Sequence, residues 1–79
     1  MQQIRTLAEL LPGQRCTVIG LDLRGDMRRR FLDIGMIEGA GVSCVGESPL
    51  GDPRAYLVCG ATVAVRRRDA AGVRVQIDA

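Results

Sequence analysis

The sequence predicts a mainly β domain: a small five-stranded barrel with a short N-terminal helix and one helix inserted after the first strand. Three observations predict it. The apolar residues are chiefly Val, Leu, Ile, Ala and Cys, with one Phe, one Tyr and no Trp, a set that suits short strands. Glycines and prolines break the chain at short intervals, as tight turns do. Near the end, Val73, Val75 and Ile77 alternate with Arg74 and Gln76, which puts apolar and polar residues on opposite faces of a strand. Closing such strands into a barrel removes exposed edges.

Each element follows in order. Thr6-Leu7-Ala8-Glu9 fits a capping box, so a short helix starts at Leu7, and Pro12-Gly13 stops it. Its three leucines (Leu7, Leu10, Leu11) make it a plug for a barrel end. Cys16–Leu21 reads as a strand with a bulge or bend at Gly20. Asp26 is a good N-cap for a helix over 27–34, whose narrow apolar face is Met27, Phe31 and Ile34. Asp26 and Arg30, and Arg29 and Asp33, are spaced for ion pairs one turn apart. Gly35 sits where a left-handed C-terminal cap belongs. Val42–Glu47, Arg54–Cys59 and Thr62–Arg66 are three further strands. Pro49-Leu50-Gly51-Asp52-Pro53 is a stiff loop between the first two, and Gly60-Ala61 is a type II′ hairpin turn between the last two. A single helical turn over 67–72 precedes the final strand.

The length of 79 residues predicts one domain over 1–79, with a small core and little room for a deep cavity. An apolar content of 47% is too high for disorder. No run approaches the ~20 apolar residues of a membrane span. The opening residues show no signal pattern, so a cytoplasmic location is expected. A net charge of +2 is weak support for a polyanionic partner. With so few aromatic stacking platforms as well, no nucleic acid is expected. There is no His, and Cys16, Cys44 and Cys59 lie far apart with no C-x-x-C pair. They read as small hydrophobes on strands, and neither zinc spacing nor a disulfide framework is present. Ser43 and Ser48 have no base nearby, and no phosphate-binding glycine motif occurs. The reading is therefore of a chain that is not an enzyme and needs no cofactor.

Four features remain as candidates. Arg28-Arg29-Arg30 is either a solvated helix face or a docking patch for an acidic surface. Arg66-Arg67-Arg68 reads as ordinary charge at a strand end. The loop from Pro49 to Pro53 is a stiff connection whose apolar tip, Leu50, would dock at little entropic cost. Strand parity places Leu57 and Cys59 outward if Tyr56 and Val58 point inward, and Val45 outward if Val42 and Cys44 point inward. That strip is either a subunit contact or is covered by the N-terminal helix, and the three leucines favour the cover.

The opening TLAELLPGQR, the strand VIGL, RRRFLDIGMIEG over 28–39 and SPLGDP over 48–53, in this order and spacing, resemble the FeoA family. The resemblance covers nearly the whole chain. It implies an SH3-like barrel with an inserted helix, acting as an accessory to the large ferrous-iron transporter FeoB, which carries a cytoplasmic GTP-binding domain. The function expected is that of an adaptor that binds a cytoplasmic part of that transporter and modulates or assembles it. The expected partner surface is Arg28, Arg29, Leu50 and Asp52, with Met36 and Pro49 as apolar support. An apolar Leu57 and Cys59 on the third strand, where relatives are polar, points to self-association. The alternative is a module that holds Fe²⁺ transiently, like the SH3-like domain of metal-dependent repressors.

Overall fold

The computed structural model describes residues 4–78. One antiparallel sheet contains β1 (Ile4–Thr6), β2 (Arg15–Leu21), β3 (Gly41–Glu47), β4 (Arg54–Val58), β5 (Ala61–Val65) and β6 (Val73–Ile77), ordered β1-β6-β2-β3-β4-β5. A 3-10 turn (Leu7–Glu9) and the helices α1 (Gly25–Asp33) and α2 (Arg67–Ala70) complete the fold. The strands number six rather than five. The extra one, β1, pairs with β6, with Ile4 opposite Gln76 and Thr6 opposite Arg74. Ile4 is 63% exposed, so no apolar alternation marks this segment, and its order comes from backbone pairing.

Strand parity builds the core as expected. Cys16 and Val18, Val42 and Cys44, Tyr56 and Val58, and Val73 and Val75 are all buried. Two register shifts interrupt the ladders, between Val18 and Gly20 and between Cys44 and Gly46. At the first, the Arg74 guanidinium lies over Gly20, where a Cβ would collide with it, and donates to Asp22 at 3.0 Å. Burial pushes the Cys16 thiol up to about 11.

The N-terminal plug is present, but as a 3-10 turn. The Thr6 N–H donates to the Glu9 carboxylate at 2.7 Å, which holds that carboxyl below its ordinary range. Leu7 and Leu10 are fully buried. The Arg54 guanidinium donates to the carbonyls of Ala8 (2.9 Å) and Leu10 (2.8 Å) and pairs with Glu47 at 3.2 Å. The Tyr56 hydroxyl donates to the Leu7 carbonyl at 3.3 Å. α2 packs against the same turn. The plug thus fills the space between strands that the hydrogen-bonded ladder leaves open, because β1 and β5 are not paired with each other.

Four local expectations are corrected. α1 begins at Gly25, so Asp26 lies in its first turn and Arg24 is the N-cap. Among the described residues, neither Asp26–Arg30 nor Arg29–Asp33 closes an ion pair. The β4–β5 turn is Cys59-Gly60, with φ of +51° and +79°. Two positive angles make it type I′, one residue earlier than the type II′ reading. The exposed Cys59 is therefore a turn residue, not a strand residue. Finally, Leu11 does not cover the outer strip: it is 53% exposed, and so is Val45.

Candidate partner-docking surface

α1 is amphipathic, and its inward side is narrow. Phe31 is buried, Met27 and Ile34 are half-buried, and Arg28, Arg29 and Arg30 are exposed with no ion pair among the described residues. The helix ends in a Schellman motif: the Met36 N–H reaches the Phe31 carbonyl and the Gly35 N–H reaches that of Leu32, both at 3.0 Å. Gly35 has φ +99°, and a Cβ there would run into the Cys59 sulfur. The end of α1 therefore rests on the β4–β5 turn.

This geometry decides the fate of Met36. As the residue after the left-handed cap it turns into the core and is fully buried. It cannot support a partner and leaves the expected set. Arg28 and Arg29 remain on the free face of α1. Pro49 is exposed, and Leu50, 94% exposed, stands at the tip of the β3–β4 loop. Asp52 is half-buried, and its carboxylate accepts the Arg67 backbone N–H at 2.9 Å. It is a strut that ties the loop to the start of α2.

Between α1 and β5 runs an open groove of about 330 Å³. Met27, Phe31, Ile34 and Val63 form its apolar floor, and Arg30, Arg66 and Asp69 stand around it. A second cleft, of about 320 Å³, is lined by Asp52, Arg66 and Arg68. Arg66 lines both, and so links the helix to the loop region. In the sequence alone Arg66 looks like ordinary strand-end charge, and Arg30 is one of the cluster Arg28-Arg29-Arg30. The groove's walls come from two segments far apart in sequence, 27–34 and 63–69, and no local pattern joins them. Among the described residues, no three of His, Cys, Asp and Glu come together as a metal site.

The fold defines a small β domain of SH3-like class, and the α1 arginines, the exposed loop tip and the groove between α1 and β5 are its candidate docking features. A model of the FeoA domain matches residues 5–77; the chain belongs to the FeoA family. It is 34% identical over 71 residues to the Fe(2+) transport protein A/Fe(2+) transporter FeoB fusion protein of Porphyromonas gingivalis. That match covers 90% of this chain but 8% of the relative's length. The solution structure of the Chlorobium tepidum FeoA protein superposes with a TM-score of 0.87 at 35% identity, over 94% of this chain and 70% of that one. The crystal structure of Stenotrophomonas maltophilia FeoA superposes with a TM-score of 0.77 at 30% identity, over 89% and 87% of the two chains. That protein was solved in complex with zinc and is described as a prokaryotic SH3-domain protein and a candidate ferrous-iron-transport activating factor. No helix among the described residues is long and apolar enough to cross a membrane.

Proposed function

We propose that this chain is a non-enzymatic, cytoplasmic accessory of ferrous-iron uptake that binds a cytoplasmic region of a FeoB-type transporter and modulates or assembles it. The observation that carries this reading is the relative in which a matching domain and the transporter are one polypeptide. Fusion holds two modules at high effective concentration, which is useful only if they act together. The geometry supplies a surface for the separate case. Unpaired arginines on α1 steer an acidic partner, and Leu50 offers an apolar anchor on a loop braced by Asp52. Arg28, Arg29, Pro49 and Leu50 make the contact, and Asp52 positions the loop.

The test is an NMR titration of the labelled chain with the transporter's soluble GTP-binding domain. Shifts should cluster on residues 28–30 and 49–52. Saturable shifts confined to the opposite side of the sheet, such as β2 and β6, would overturn the surface. The absence of any shift, with the transporter domain shown to be folded, would overturn that domain as the partner region.

A further inference from the structure

We propose that β5 is a self-association edge, and that two copies of this chain pair their β5 strands antiparallel about Val63. This goes beyond the transporter reading and does not depend on it. β5 is hydrogen-bonded to β4 on one side and, among the described residues, to no strand on the other. The two-residue turn makes Val58 and Ala61 the closing pair. In an antiparallel ladder, alternate residues then direct their N–H and C=O groups toward the partner strand. Ala61, Val63 and Val65 bond β4, and the backbone groups of Thr62 and Ala64 point to the open side. Both residues are exposed.

Natural edges are blunted by charge, proline, bulges or shortness. β1, the other edge, is three residues long and carries Arg5. β5 reads Ala-Thr-Val-Ala-Val, and its pairing with β4 has no register shift. It has none of these devices, and its open side faces the groove beside α1 rather than a covering element.

The register favours a second copy as the occupant. In a two-fold pairing about Val63, Thr62 of one chain faces Ala64 of the other, twice. The free backbone groups meet as two reciprocal pairs of hydrogen bonds, and only small side chains meet across the junction. The arginines at 66–68 then lie beyond the strand end, opposite the second copy's Cys59-Gly60 turn and not opposite their own image. The end of α1 rests on that turn and carries Asp33, which is exposed and in no ion pair among the described residues, so the element beside the turn offers an opposite charge to the arginines. Such a contact is isologous and closes at two chains. A contact made of two pairs of backbone hydrogen bonds makes a transient dimer that appears at high protein concentration. It would cover the groove and leave Arg28, Arg29 and Leu50 outside.

The test is sedimentation velocity of the full chain up to millimolar concentration. The wild type should show a monomer–dimer equilibrium. The pair Thr62→Lys with Ala64→Lys places like charges directly opposite one another and should raise the dissociation constant by about tenfold or more. The pair Thr62→Glu with Ala64→Glu should do the same. An equimolar mixture of the two variants should restore dimers, which a folding defect would not allow. A wild type that stays monomeric throughout, or charged pairs that dimerise like the wild type, would overturn the proposal. So would loss of the dimer in Leu57→Arg while both charged pairs retain it, since that assigns the contact to the outer sheet face.

Discussion

The 3-10 turn Leu7–Glu9 and the helix α1 sit against the same sheet and are held in opposite ways. The turn is three residues long, yet Leu7 is fully buried, and the carbonyls of Leu7, Ala8 and Leu10 are taken by Tyr56 and Arg54. α1 is nine residues long and buries only Phe31. Its Arg28, Arg29 and Arg30 pair with no acid among the described residues, and its Gly35 end lies against Cys59. Length therefore says little about anchoring. The polar groups around the plug are consumed in holding the fold, and those on α1 are left over for something else.

The largest effect should come from breaking the plug. Arg54→Ala removes the donor to two carbonyls and leaves them without that partner in a largely enclosed place. Each such loss costs about 1–3 kcal/mol, partly relieved where water enters. The expected destabilisation is about 2–3 kcal/mol, read as a lower denaturant midpoint. A change under about 0.5 kcal/mol would mean that the plug is held by its leucines alone.

A smaller effect should come from the foot of α1. Gly35→Ala imposes a side chain at φ +99° and drives its Cβ toward the Cys59 sulfur. The expected cost is about 1–2 kcal/mol. Adding Cys59→Gly should recover part of it, because the new glycine removes the sulfur and accepts its own φ of +51°. A double-mutant cycle reads the coupling directly. Additive losses would show that α1 does not rest on the turn and would erase much of the contrast with the plug.

Much of this was legible from residues in chain order. The buried pairs Cys16 with Val18 and Val73 with Val75 follow from strand parity. The Gly35 cap and the Thr6–Glu9 bond follow from local spacing. What stayed hidden depended on distant partners or on backbone angles. β1 has no alternation and exists by pairing with β6. The hairpin turn was read one residue late because Cys59, a residue at home in strands, takes a left-handed angle. Met36 looked free until the Schellman motif turned it inward. Asp52 looked like a contact residue, but the backbone it holds is in α2, 15 residues on. Arg54 left one usable signal: with Glu47 it flanks the stiff loop, and opposite charges there match a directly opposed pair.

The smallest effect on stability, and the sharpest test of the contrast, belongs to Arg28→Glu with Arg29→Glu. Both side chains are exposed and unpaired, so the fold loses no contact. Negative charge toward the start of a helix is also mildly favourable. Stability should stay within about 0.5 kcal/mol of the wild type. Affinity for the transporter's GTP-binding domain should fall by about tenfold, most steeply at low salt, because steering by exposed charge is screened. Binding that survives the reversal would return α1 to an ordinary solvated face and move the docking role to Leu50 or the groove. A large loss of stability would show that α1 is held through its arginines after all, and that the helix and the plug differ in degree and not in kind.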